Sequence, residues 1–385
     1  MLNFNFHNPT KILFGKNKIE EIKNEIPFGT KVLITYGGGS VIANGVLDKV
    51  KKNLKGYEIS EFGGIEPNPC YETLMKCVEK IRASKVDFIL AVGGGSVIDG
   101  TKFIAAAVPY KGDAWEILTS FGANIKEAMP FGSVLTLPAT GSEMNAGSVI
   151  TNKALGAKLF FIHPLVYPVF SVLDPETTYS LPPKQISNGI ADAFVHITEQ
   201  YLTYPVDAKV QDRFAEGLLL TLIEEGPKAL KDPMNYDVRA NIMWCATLAL
   251  NGLIGAGVPQ DWATHMIGHE ITALHGVDHG RTLAVVMPAM LKILKEDKKE
   301  KLLQYAQRVW GITEKNDNKK IDEAIEKTIN FFNSIGIPTK LSDYGITQGS
   351  IPVLIDKLKE HGMVSLGEKK KVDPELARKI LELSL

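Results

Sequence analysis

KVLITYGGGSVI at residues 31–42 and DFILAVGGGSVI at 87–98 are one motif written twice. In each copy a β-branched run ends in Gly-Gly-Gly-Ser and passes into a helical pattern, as in Ile42, Val46, Val50 and Leu54 at intervals of four. Each copy is a strand-to-helix unit, and serial units of this kind build a parallel sheet flanked by helices. Glycines at the carboxyl end of a parallel strand let backbone N–H groups approach a phosphate, and the helix N-terminus that follows adds a favourable dipole. A glycine-rich exit can also be no more than a tight connection, but its repetition points to pyrophosphate binding. Neither copy satisfies G-x-G-x-x-G, because Ile42 and Ile98 stand where a small residue is required, and a Walker A sequence is absent. A third run, SVLTLPATGSE at 133–143, leaves a strand into a turn of Thr140, Gly141 and Ser142, so donors from three segments can surround one dinucleotide.

Outward from these units, the chain of 385 residues is 45% hydrophobic, enough for a large core and for two domains. Pro164, Pro168, Pro175, Pro182 and Pro183 leave no clear period between 160 and 185. The predicted organisation is therefore a nucleotide-binding α/β domain over 1–182, with a Rossmann-like parallel sheet, and an all-α domain over 183–385. In the second domain Ile186, Ile190, Phe194, Ile197 and Tyr201 form an apolar stripe, and helices are expected near 208–230 and 236–253. A net charge of −1 provides no basic field for a polyanion, which argues against nucleic acid or an anionic membrane as partner and for a small neutral substrate. Cys70, Cys77 and Cys245 are odd in number and form no C-x-x-C pair, so a disulfide framework is not expected and a reducing cytoplasm is. The opening MLNFNFHNPTKILFG lacks the pattern of a signal peptide, and no apolar run reaches the ~18 residues of a membrane span.

Four of the eight histidines fall in one window, at His265, His269, His275 and His279. Upstream, Asp192 and His196 stand at i, i+4, so both project from one helical face and can share an ion. His265 and His269 repeat that spacing on the helical stretch QDWATHMIGHEITALH, and His279 follows in the glycine-flanked turn GVDHG. Neutral imidazoles with one carboxylate suit Zn²⁺ or Fe²⁺, so the pattern reads as a metalloenzyme. His269-Glu270 begins H-E-x-x-H, but Ala273 takes the last place, which disfavours peptide hydrolysis.

These residues also carry a resemblance. FNFHNPTKILFGK, AVGGGSVIDGTKFIA, LPATGSEMN, NGIADAFVHITEQY and the histidine block through GVDHG resemble, in order, the iron-containing alcohol dehydrogenase family, and within it the NADPH-dependent butanol dehydrogenase and aldehyde reductase branch. The resemblance implies metal ligands at Asp192, His196, His265 and His279, with His269 as a candidate either for supporting those ligands from behind or for relaying a proton. It implies a pyrophosphate loop at Gly93, Gly94, Gly95 and Ser96, with Asp99 and Lys102 on the following helix. Thr136, Thr140 and Ser142 match the family's other nucleotide-contacting segment, and Lys158 matches a lysine near the nicotinamide ribose. Homodimers are common in the family, so one is implied here. The expected reaction is hydride transfer between NAD(P)H and short-to-medium-chain aldehydes such as butanal, with one divalent ion, Fe²⁺ or Zn²⁺, polarising the carbonyl.

In NAD-using relatives an aspartate ends the first strand of the motif, where it accepts from the ribose 2′-OH and repels a 2′-phosphate. Gly37 occupies that place here. The turn Gly37, Gly38, Gly39, Ser40 can then present N–H groups and a hydroxyl to the phosphate, which predicts NADP(H) over NAD(H). The same architecture serves a dehydroquinate synthase-like lyase, but that would require several Lys and Arg residues at the site, and Leu253, Ile254, Trp262, Met266 and Ile267 make this neighbourhood apolar. A noncatalytic metal- or nucleotide-binding protein is the third reading.

Overall fold

Strands form where the apolar runs lie. The computed structural model describes residues 1–385. Eight strands are present: β1 (Lys11–Phe14), β2 (Lys31–Tyr36), β3 (Glu58–Phe62), β4 (Phe88–Gly94), β5 (Phe131–Leu137), β6 (Gly147–Asn152), β7 (Ala157–Ile162) and β8 (Phe170–Leu173). Six of them make one sheet in the order β1-β8-β5-β4-β2-β3, with every neighbouring pair parallel. The central strands read as unbroken apolar runs because both of their faces are covered. Val32, Ile34, Leu90 and Val92 enter one core with Ile22 and Val50, while Leu33, Ile89 and Ala91 enter another with Ile98 and Phe103.

The chain leaves β2 for β3 on one side and then crosses to β4 on the other, so the strand order reverses between β2 and β4. In register, Tyr36 lies beside Val92, which puts both glycine triplets at neighbouring carboxyl ends on either side of that switch point. Open α/β sheets bind their ligands there.

Two local readings are corrected. The first copy of the motif does not continue as one helix: a single turn, Ser40–Ala43, stops at Asn44-Gly45, and a second helix runs over Val46–Asn53. Gly45 takes a φ of 79°, and the Asn44 side chain accepts from the Val46 N–H at 3.1 Å, so this pair makes a turn. The proline-punctuated stretch also holds β8, a buried strand between β1 and β5, which is too short at four residues to show a period. Outside the main sheet, β6 and β7 pair as an antiparallel hairpin.

By internal contacts the chain forms two compact units, one of Met1–Phe6, Pro182–Pro233 and Trp244–Leu385, the other of His7–Leu181 and Met234–Met243. In the first, helices dominate: Pro183–Tyr201, Lys209–Lys231, Ala263–His275, His279–Ile293, Lys299–Arg308, Asp317–Ser334, Ile351–Glu360 and Pro374–Leu383. Pro183–Tyr201 is buried at every position from Ile186 to Tyr201, as expected of a helix with neighbours on all sides. The helix expected over 236–253 runs from Tyr236 to Ala249. No helix is long and apolar enough to cross a membrane.

Candidate active site

Three helices of the helical unit supply the cluster. Pro183–Tyr201 carries Asp192 and His196, and Ala263–His275 carries His265 and His269. His279 is the first residue of the helix His279–Ile293, not part of a free turn as the sequence suggested. Close helix approach makes the convergence possible. A Cβ on Gly280 would collide with the backbone of Asn188, and one on Gly268 would lie 3.0 Å from both Leu283 Cδ2 and Thr282 Oγ1. Asp278 strengthens the junction by taking Lys184 Nζ and Asn188 Nδ2, each at 2.8 Å.

Asp192 Oδ1 lies 3.7 Å from His196 Nε2, 3.8 Å from His265 Nε2 and 3.7 Å from His279 Nε2. One ligating atom from each of Asp192, His265 and His279 falls within 4.8 Å of the others, and the His196 ring stacks on that of His265 with centroids 4.6 Å apart. These separations exceed hydrogen-bonding distance. They approach the roughly 3.4 Å expected between donors that lie about 2.1 Å from a shared tetrahedral ion. Asp192 Oδ1 and His265 Nε2 are buried and have no hydrogen-bond partner, a costly arrangement unless a cation accepts both lone pairs. The donor set therefore fits a divalent ion.

The electrostatics favour a cation as well. Burial pushes the Asp192 carboxyl upward, but the three imidazoles outweigh it and hold the group well below the usual carboxylate range. Burial disfavours a charged His265, yet Glu199 and Asp192 raise it to about 9. His279 is the most exposed member, with 21% of its side chain accessible against 4–6% for Asp192, His196 and His265, so the cluster opens on that side. The His269 ring lies beside that opening, 4.9 Å from the His279 ring. Trp262 presents its edge to His196 and His265 at 6.1 and 5.3 Å. His275 closes its helix in an exposed position and takes no part in the cluster.

Glu199 escaped the sequence reading. Its carboxylate contacts His265 Nδ1 and accepts the Thr264 N–H at 2.7 Å. The signal was present, since Asp192, His196 and Glu199 stand at i, i+4 and i+7 on one helical face.

The second candidate site lies within the sheet unit. Gly93, Gly94 and Gly95 end β4 and open the helix Gly95–Ala107, whose N-cap makes no side-chain hydrogen bond. A Cβ on Gly94 would come within 2.9 Å of Leu137 Cβ, and one on Gly95 within 2.7 Å of Thr140 Cγ2, so only glycine lets the loop lie against the segment after β5. Ser96 Oγ accepts the Asn68 N–H at 3.3 Å, and Lys158 Nζ donates to Asn68 Oδ1 at 2.9 Å, which draws Lys158 toward the loop. Ser142 donates to Asp99 Oδ1 at 2.5 Å and the Val149 N–H to Asp99 Oδ2 at 3.0 Å. Asp99 is thus engaged in shaping the turn that carries Thr140 and Ser142. Lys102 serves the same turn, reaching Asn145 Oδ1 and the Gly147 carbonyl at 2.8 and 2.7 Å. Thr136 is buried on β5. At the neighbouring strand end Gly38 and Gly39 face open space, while Gly37 lies against the Ile65 carbonyl.

Comparison with known proteins gives a consistent picture. The profile described as iron-containing alcohol dehydrogenase matches residues 9–175, and that of the C-terminal part of the Fe-containing alcohol dehydrogenase family matches 186–376. The chain is 62% identical to the NADPH-dependent aldehyde reductase YqhD of Escherichia coli over 99% of both sequences. It is 42% identical to the NADH-dependent butanol dehydrogenase B of Clostridium acetobutylicum over 92% of each. The crystal structure of NADH-dependent butanol dehydrogenase A from Thermotoga maritima, 36% identical, superposes with a TM-score of 0.96 over 100% of this chain and 99% of that one.

Proposed function

The chain belongs to the iron-containing alcohol dehydrogenase family, whose members are metal-dependent NAD(P)-linked oxidoreductases of alcohols and aldehydes, and from that premise we propose that it reduces short- and medium-chain aldehydes such as butanal with NADPH. The observation that carries the proposal is the convergence of Asp192 Oδ1 with three imidazoles, two of the buried donor atoms lacking any hydrogen-bond partner. A divalent ion, Fe²⁺ or Zn²⁺, supplies Lewis-acid polarisation of a carbonyl when bound, and the nicotinamide supplies hydride.

Asp192, His196, His265 and His279 would hold the ion, and the Trp262 ring packs in edge-to-face contact with the His196 and His265 rings. His269, whose ring lies 4.9 Å from that of His279, would pass a proton from its imidazole to the alkoxide oxygen formed by hydride transfer. Gly93, Gly94, Gly95 and Ser96 would bind the pyrophosphate through backbone N–H groups at the helix N-terminus. Thr136, Thr140 and Ser142 line the adjoining segment, Asp99 holds Ser142 in place, and Lys158 provides a cation beside the loop. Gly37, Gly38, Gly39 and Ser40 would take the 2′-phosphate, which gives NADP(H) preference over NAD(H); the 62% identical relative is named NADPH-dependent. The lyase reading is not favoured by the family. A homodimer in the cytoplasm belongs to the proposal, and three buried, unpaired cysteines suit a reducing compartment.

The test is NADPH oxidation with butanal, comparing chelator-stripped protein with the same sample after Fe²⁺ or Zn²⁺ is returned. Turnover is expected only after the metal is restored. Equal turnover in the stripped sample, or none with any aldehyde after restoration, would overturn the proposal.

A further inference from the structure

Glu199 lies on the same helical face as Asp192 and His196, and it is only 5% exposed. Its two oxygens are divided. Oε1 accepts the Thr264 N–H at 2.7 Å, and Oε2 faces His265 Nδ1. An ionised carboxylate can only accept, so Nδ1 must be the donor, and the imidazole lone pair is left on Nε2. That is the nitrogen turned toward Asp192 Oδ1 without a hydrogen-bond partner. We propose that Glu199 is a positioning residue for the metal ion: it selects the ligating tautomer of His265 and brings a second negative charge to the ion's surroundings. With neutral imidazoles, Asp192 alone would leave a buried divalent ion with one uncompensated charge, whereas Asp192 and Glu199 together balance it.

The carboxylate is held where this role requires it. The Glu199 carbonyl accepts the Asp261 N–H at 2.9 Å, and Asp261 Oδ1 accepts the Ala263 N–H at 2.9 Å. Lys298 clamps the arrangement by reaching Asp261 Oδ2 at 2.5 Å, Glu368 at 2.9 Å and the Leu202 carbonyl at 2.7 Å. The residues leading into the His265 helix are thereby fixed against the end of the Asp192 helix. Neither side chain of the Glu199–His265 pair has room to seek water instead.

This inference rests on the proposed metal site, and Glu199→Gln separates it from a role in folding. The glutamine oxygen can still accept from Thr264, but its NH₂ then faces His265. Nδ1 must become the acceptor, and the proton moves to Nε2, where it blocks ligation. Zn²⁺ affinity is measured by chelator competition on the full chain and on Glu199→Gln, Glu199→Asp and Asp192→Ala. Glu199→Gln should bind Zn²⁺ about 10- to 100-fold more weakly, while the metal-free variant still folds and binds NADPH like the parent. Glu199→Asp, which keeps an acceptor-only group, should recover much of the loss, and the visible spectrum of the Co²⁺-loaded glutamine variant should shift. Zn²⁺ affinity within twofold of the parent in Glu199→Gln overturns the inference. A parent that binds no better than Asp192→Ala overturns the metal site itself. Should the glutamine variant fail to fold, the Zn²⁺-loaded parent with ¹⁵N-labelled histidine decides: a far-downfield, slowly exchanging Nδ1 proton on His265 is expected, and its absence overturns the inference.

Discussion

At Gly37 the proposed preference for NADPH over NADH turns on the absence of one side chain. A side chain there would start 3.3 Å from the Ile65 carbonyl and 3.6 Å from Val97 Cγ2, so any substitution carries a packing cost as well as its own chemistry. Gly37→Ala therefore measures the crowding, and Gly37→Asp adds the charge that accepts from a ribose 2′-OH and repels a 2′-phosphate. The alanine variant should weaken NADPH and NADH use together. The aspartate variant should further shift the kcat/KM ratio toward NADH by about tenfold, roughly 1.4 kcal/mol. Steady-state rates with both cofactors check this, and identical ratios in the two variants would remove the 2′-phosphate from this turn. Single residues differed in how legible they were. The window His265, His269, His275 and His279 stood out because histidines are scarce, and Asp192 and His196 because they stand one helical turn apart, whereas the set Asp192, His196, His265 and His279 was implied by the family resemblance. Glu199 did not stand out, because a glutamate on a helix is ordinarily a solvated side chain, and its i+7 place after Asp192 gains meaning only from its burial. His275 was drawn in by proximity in sequence, although its helix ends there and leaves it exposed.

Among the elements, the parallel sheet was legible from the two repeated strand-to-helix units, since a buried central strand has to be apolar on both faces. β8 was not, because four residues between prolines show no periodicity and the strand gains its partners only from β1 and β5, far away in sequence. The interruption at Asn44-Gly45 was likewise hidden beneath an intact four-residue spacing of apolar side chains. The helix Gly95–Ala107 depends on an internal cation. Lys102 is wholly buried and tethers that helix to the turn at Asn145 and to the start of β6. Burial pulls its ammonium down to about 8, with Asp99 and Glu143 working in the opposite direction. A base whose folded value lies below its unfolded one costs stability while protonated in both states. That cost is relieved as pH rises from about 8 toward 10.5, by roughly 3 kcal/mol at about 1.4 kcal/mol per unit. Lys102→Met removes the titration and the tether together. In denaturant unfolding, the stability of the parent relative to Lys102→Met should therefore increase between pH 8 and 10, while the variant binds NADPH more weakly because the Ser142–Asn145 turn is loosened. A difference that stays flat with pH would mean that the buried amine keeps its ordinary affinity for protons.

Over the whole molecule, 43 basic and 44 acidic residues nearly cancel, so recognition has to come from local charge, and the local charge is arranged differently in the two units. In the sheet unit the turns proposed to bind phosphate are glycine backbone, and Asp99, Ser142 and Lys102 are committed to holding the adjoining turn in place. The helical unit instead brings donors of Asp192, His265 and His279 together from three helices, with His196 Nε2 3.7 Å from Asp192 Oδ1, and its folded state leaves Asp192 Oδ1 and His265 Nε2 without hydrogen-bond partners. A bound ion would satisfy those atoms only when the three helices are assembled, because the unfolded chain places Asp192 and His279 dozens of residues apart. Binding that selects the folded state stabilises it by about 4 kcal/mol when free metal exceeds Kd a thousandfold. At about 2–4 °C per kcal/mol for a unit of this size, the melting transition should rise by roughly 10 °C on adding Zn²⁺ to stripped protein. Calorimetry on the parent and on Asp192→Ala provides the check, with a rise expected in the parent alone. The same rise in Asp192→Ala would place the stabilising ion elsewhere, whereas a rise confined to the parent would tie the integrity of the helical unit to the cluster proposed to carry its chemistry.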